Sequence, residues 1–151
     1  MKTNNWVLFF FILAFFTSCQ NKKTLFRQVS SKESGIDFAN NIVENDSVNP
    51  IDITNVYNGG GVGVCDFNND GLQDLYFTGN IVPNKLYINK GNLKFEDVTT
   101  AANVTGDGKW CRGASVVDIN NDGLQDLYVS ASILSDPHKR ENLLYINQGA
   151  D

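Results

Sequence analysis

The chain has a single histidine, three cysteines without a C-x-x-C pair, no basic stripe and almost no helical periodicity. Each shortage excludes something. Without C-x-x-C spacing neither a zinc knuckle nor a thiol-redox motif is indicated. His138 stands in Ser135-Asp136-Pro137-His138-Lys139-Arg140, with no serine or cysteine nucleophile motif beside it, and reads as a solvated loop residue. Seventeen acidic against twelve basic residues give no electrostatic footprint for nucleic acid. No apolar run reaches the roughly 20 residues that span a bilayer. The glycine-rich Gly59-Gly60-Gly61-Val62-Gly63 is not followed by a helix-forming segment. It therefore lacks the helix N-terminus that would meet a phosphate. What remains, in a length that suits about one domain, is an Asn- and Gly-rich sequence pointing to an all-β, turn-rich fold.

The longest apolar run, Trp6 to Phe16, is 11 residues and follows the positive Lys2. This matches a secretory leader. Small Thr17 and Ser18 precede Cys19. That arrangement resembles a bacterial lipoprotein signal over residues 1–18, with Cys19 as the lipidated residue and 19–23 as a polar tether. Phe16 stands three residues before the cysteine, where leucine is frequent in such signals. The resemblance implies a cell-envelope protein of the outer membrane, periplasmic or surface-exposed, held to the membrane through lipid.

The most informative stretch is Asp66-Phe67-Asn68-Asn69-Asp70-Gly71-Leu72-Gln73-Asp74. It returns 52 residues on as Asp118-Ile119-Asn120-Asn121-Asp122-Gly123-Leu124-Gln125-Asp126. Acidic or amide side chains fall at relative positions 1, 3, 5 and 9, and glycine at 6. A hard cation such as calcium takes six to eight oxygens at about 2.3–2.6 Å. The side chains of Asp66, Asn68, Asp70 and Asp74, with the Leu72 carbonyl, form one candidate oxygen set. Asp118, Asn120, Asp122, Asp126 and the Leu124 carbonyl form the second. Six of the acidic residues sit in these loops, so two bound calcium ions would offset much of the chain's negative charge. An EF-hand shares the opening but needs a bidentate carboxylate at position 12, where Phe77 and Val129 stand. Leu75-Tyr76-Phe77-Thr78 and Leu127-Tyr128-Val129-Ser130, which follow the loops, suit strands. Each loop therefore joins strand to strand.

D-x-N-x-D-G-x-x-D between strands resembles the FG-GAP/VCBS repeat, the calcium-bearing blade of integrin-α-like β-propellers. Tyr57 to Val62, Asn84 to Gly91 and Phe95 to Thr99 extend the likeness across residues 24–151. Together they are similar to bacterial VCBS-repeat lipoproteins related to cartilage acidic protein, which often end in an ASPIC/UnbV-type region. No such region is present here. The resemblance implies an incomplete β-propeller of about two blades. Residues 24–59 would carry a strand at Thr24 to Ser30, closing the ring, and a long connection with one short strand near Ile51 to Val56. Blade one occupies 60–112, with strands Gly61 to Cys65, Asp74 to Thr78, Lys85 to Asn89 and Leu93 to Val98. Blade two occupies 113–151, with strands Ala114 to Val117, Asp126 to Ser130 and Leu143 to Asn147. Propellers close with about four to eight blades, so the chain reads as the front of a longer protein.

The repeat places the calcium loops at one rim. Asn58, Trp110 and Arg112 then fall on the opposite rim with Gly79 to Asn84 and Pro137 to Arg140. There Trp110 is either a platform for sugar or peptide, or a residue packed between blades. Cys65 and Cys111 would pair only if the folded chain brings them within reach. The function implied is a calcium-stabilised binding or adhesion module for a protein or glycan, not an enzyme and without a nucleic-acid partner. The alternatives are a propeller whose central face acts on polysaccharide, or a scaffold that docks a partner domain.

Overall fold

The computed structural model describes residues 24–106 and 108–149. The leader, Cys19 and the tether lie outside the described residues. Two antiparallel sheets account for nearly all regular structure. The first contains β1 (Val62–Cys65), β2 (Asp74–Phe77), β3 (Lys85–Asn89) and β4 (Phe95–Asp97), in spatial order β1-β2-β3-β4. The second contains β5 (Cys111–Val117), β6 (Asp126–Ala131) and β7 (Leu143–Tyr145), in order β5-β6-β7. The all-β, propeller-like reading holds. No helix among the described residues is long and apolar enough to cross a membrane.

The sheets stack through one face of each. In blade one, Tyr76 and Leu86 are cross-strand partners, so their side chains share a face. They pack with Leu127 and Val129 of blade two, and with Val104 and Cys111 of the link between the blades. Fully burying such a side chain contributes about 1.5–3 kcal/mol, so this shared core holds the blades as one body. Close approach of β1 and β5 depends on small residues. A Cβ built on Gly61 would stand 2.7 Å from the Arg112 carbonyl oxygen, and one on Gly63 would meet Ala114 and Val116 at 3.5 Å. The glycine run thus serves strand crowding, as its lack of a following helix implies.

Three expectations for the first third and the link are corrected. Residues 24–30 form no strand and join no ladder; Leu25 and Phe26 are left exposed. Ile51 to Val56 is a series of turns instead of a strand, because Ile53 and Val56 bury inward against Val48 and Trp110. β5 starts at Cys111, three residues early, with an irregular register between Cys111 and Ala114. The Cys111 amide there donates to the Gly79 carbonyl, which draws the strand start towards blade one.

A one-turn helix, α1 (Ser31–Ser34), replaces unpatterned chain. The Ser30 hydroxyl accepts the Glu33 amide at 3.2 Å, and Gly35 ends the turn at φ 84°. From α1 the chain runs as a strap over the face of blade one that points away from blade two. Phe38 stacks on Phe77 with ring centroids 5.1 Å apart. The Tyr87 hydroxyl donates to Asp37 at 2.6 Å. The Asn40 and Asn80 groups then exchange two hydrogen bonds of 2.7 and 2.8 Å.

Candidate metal centre

Both acidic loops adopt one conformation. Asn69 and Gly71 have φ of 57° and 86°; Asn121 and Gly123 have 60° and 87°. Positive φ costs glycine nothing and asparagine little, which is why the repeat keeps these residue types at its fourth and sixth positions. The hydrogen bonds are duplicated as well. Asp66 accepts the Asp70 and Gly71 amides at 3.0 and 2.7 Å, and Asp118 accepts those of Asp122 and Gly123 at 3.1 and 2.9 Å. Asp70 accepts from the Leu72 amide and the Asn68 side-chain nitrogen, as Asp122 does from Leu124 and Asn120.

The ninth-position carboxylates, Asp74 and Asp126, have no exposed surface. Each sits at the start of a strand and ties the loop to the rest of its blade. Asp74 accepts the Phe67 amide at 2.9 Å and the Asn89 amide at 2.8 Å. Asp126 accepts Ile119 at 3.0 Å and Asn147 at 2.8 Å. Burial raises the Asp74 carboxyl above its ordinary value; the two amides pull it back, and the nearby Asp70 and Asp66 charges add to the rise. Asn89 and Asn147 were missed as loop partners. Their signal was the shared Tyr-Ile-Asn of Tyr87 to Asn89 and Tyr145 to Asn147. The Asn147 side chain also donates across the blades to the Phe67 carbonyl at 2.9 Å.

The donor set suits a hard cation in type, since every side chain of each set presents oxygen. An ionised carboxylate has about four acceptor positions. Asp66, Asp70 and Asp74 each use two in the contacts above, leaving lone pairs in reserve. Among the described residues, however, no three acidic, histidine or cysteine side chains converge as a ready metal cage.

The opposite rim assembles as the topology implies. Ile81 donates to the Lys109 carbonyl, Asn80 bridges Trp110, and the Lys109 ammonium reaches the His138 carbonyl. Trp110 takes the packed alternative, with its partners in the Val48 to Val56 segment. It is 1% exposed, packed with Val48, Ile53 and Val56, and offers no ring to a ligand. Asn58 is exposed, while Arg112 is half-buried with its Nε atom lacking a partner. The exposed aromatic on this rim is Tyr57, in an open groove lined also by Asn40, Asn41, Ile42 and Gly59. His138 is solvent-exposed, as expected. Cys65 and Cys111 are free thiols.

The duplicated loop, entering and leaving paired antiparallel strands, is the feature that decides the class. Residues 66–129 match the FG-GAP-like repeat. The match opens on the first residue of the first loop and closes within β6, after the second. A search of curated proteins finds none that matches the chain. The matched residues contain both acidic loops; the strap and the Tyr57 groove lie outside them.

Proposed function

We propose that the chain is a calcium-stabilised FG-GAP-type binding module of the cell envelope, lipid-anchored at Cys19 and directed at a protein or glycan. The observation that carries this reading is the duplicated loop. Two copies of an all-oxygen donor pattern share one backbone conformation and one hydrogen-bond set, although their neighbouring residues differ. In each loop the side chains at positions 1, 3, 5 and 9 would hold the ion, with the Leu72 or Leu124 carbonyl. Bound calcium would neutralise like charges and pin the strand ends. The Tyr57–Asn58 segment supplies the exposed aromatic and amide groups that suit a sugar or peptide.

Calorimetry and thermal melting test the metal. Extracellular calcium modules bind with dissociation constants of about 10⁻⁴–10⁻³ M. At a hundredfold excess over that constant each site would stabilise the fold by about 2.7 kcal/mol. Two ions are expected per chain, with a lower melting temperature in chelator. Asp70→Ala should leave one ion. No heat of binding together with an unchanged melt removes calcium from the reading. For the anchor, Cys19→Ala should release the protein from membranes; unchanged retention and processed mass would refute lipidation.

A further inference from the structure

Three Asn-Gly or Asp-Gly steps lie among the described residues: Asn58-Gly59, Asp70-Gly71 and Asp122-Gly123. Glycine in that place opens a reaction that other neighbours hinder. It has no side chain to screen its amide nitrogen from the side-chain carbonyl of the residue before it. The nitrogen can bond to that carbonyl carbon and close a five-membered imide ring.

The two loop steps are tied against this. The Gly71 amide donates to Asp66 at 2.7 Å, and the Asp70 carboxylate accepts from Leu72 at 2.8 Å and Asn68 at 2.9 Å. Gly123 donates to Asp118 at 2.9 Å, and Asp122 accepts from Leu124 and Asn120 at 2.8 Å each. An ionised carboxylate is also a poor target for a nitrogen nucleophile. Asn58-Gly59 is the opposite case. Among the described residues, neither the Asn58 side chain nor the Gly59 amide has a hydrogen-bond partner. Asn58 is exposed, and a Cβ added at Gly59 would have nothing within 4 Å. The chain is held on both sides of this step. Val56 is 1% exposed and packs with Trp110. At Gly60 a Cβ would stand 1.9 Å from the Thr78 carbonyl oxygen, and the Gly61 amide donates to the Thr78 hydroxyl at 2.6 Å. Asn58-Gly59 is thus an untied joint between two clamps, at the rim and not on a sheet face.

We infer that Asn58 is a site of spontaneous modification, at which the folded chain converts asparagine to aspartate and isoaspartate. The Gly59 nitrogen bonds to Asn58 Cγ and gives up its proton to solvent. The Cγ–Nδ2 bond breaks, and Nδ2 departs as ammonia. Water, the one co-reactant, then opens the imide. Opening at Cγ leaves aspartate; opening at the Asn58 carbonyl carbon leaves isoaspartate, with Cγ now in the main chain. Either product places a negative charge beside a groove whose lining, Asn40, Asn41, Ile42, Tyr57 and Gly59, carries none. Isoaspartate also lengthens the main chain by one carbon, which the open space at Gly59 admits. The inference needs no metal and holds whatever the module binds.

The test is incubation of the 151-residue chain, folded and in urea, at mildly alkaline pH. Peptide mapping with fragmentation and enzymatic labelling of isoaspartate read the result. In the folded chain the mass gain of an amide-to-acid change, with isoaspartate, should appear at Asn58, and no isoaspartate at Asp70 or Asp122. In urea the loop ties are lost, and isoaspartate should appear at all three. Asn58→Gln should lose the modification at that position with unchanged circular dichroism, because glutamine must close a six-membered ring. An Asn58 that stays intact in the folded chain while it converts in urea would overturn the inference. So would isomerisation of Asp70 or Asp122 in the folded chain at the rate of Asn58.

Discussion

Removing one oxygen atom from each blade, by Tyr76→Phe and separately by Tyr128→Phe, should have very different costs. The residues occupy the same repeat position, and both hydroxyls accept an asparagine amide. Tyr76 also donates to the Val104 carbonyl at 2.9 Å, in a site with no exposed surface. Burial holds its phenol above the ordinary range, so the hydroxyl keeps its proton and remains a donor. The phenylalanine would leave the carbonyl and an Asn84 N–H without this partner where water does not reach. Leaving a buried group unsatisfied costs about 1–3 kcal/mol. Asn84 retains a 3.4 Å contact to Cys111 Sγ, which limits its share. The expected loss is about 2 kcal/mol. At Tyr128 water can replace the hydroxyl, and the change should stay within about 0.5 kcal/mol. For a domain of this size about 2 kcal/mol lowers the melting temperature by roughly 8 °C. Urea unfolding at a fixed protein concentration is the assay. Equal losses at the two positions, or no loss at Tyr76, would refute the account of the core between the blades.

The remaining predictions concern titration and thiol chemistry. Tyr87 is buried beside Asp37, and burial first, then that hydrogen bond, pushes its phenol from 10.0 up to about 12. The folded state therefore favours the neutral phenol. Its contribution is complete below pH 10 and is lost as the pH climbs through about 12, by an amount on the order of 2 kcal/mol. Tyr87→Phe should flatten this alkaline loss in urea titrations; an unchanged slope contradicts the strap contact. Burial raises the thiols of both Cys65 and Cys111, and Cys111 is wholly enclosed. In a Cys19→Ser background a thiol reagent should modify Cys65 first and reach Cys111 only on unfolding. Equal rates, or a Cys65–Cys111 disulfide on mild oxidation, would refute that arrangement.

Much of the fold was legible because its signals are local. Strand β3 falls at Lys85–Asn89, and the other blade strands lie within a few residues of their expected bounds, because period-two patterning and the turn residues are contiguous in the chain. The helix α1 has a local signal too, in Ser30 and Glu33 at the spacing of a capping box. Asn147 was harder. Its repeat position was visible, but its bond to Phe67 joins residues 80 apart in the chain.

By itself, the sequence determined the two loops, their strand-to-strand placement and the all-β class. Glycine at a positive φ, oxygens at alternate positions and β-branched residues beyond them act over a few residues. Tertiary structure decided everything that depends on which surface meets which. Trp110 reads as a platform or as a core residue until Val48, Ile53 and Val56 fold over it. Thr24 to Ser30 alternates like a strand yet joins no sheet, because a ladder needs a partner edge and not only a pattern. Tyr76 and Tyr128 share their local sequence and differ in burial for one reason: a second blade lies over the first of them.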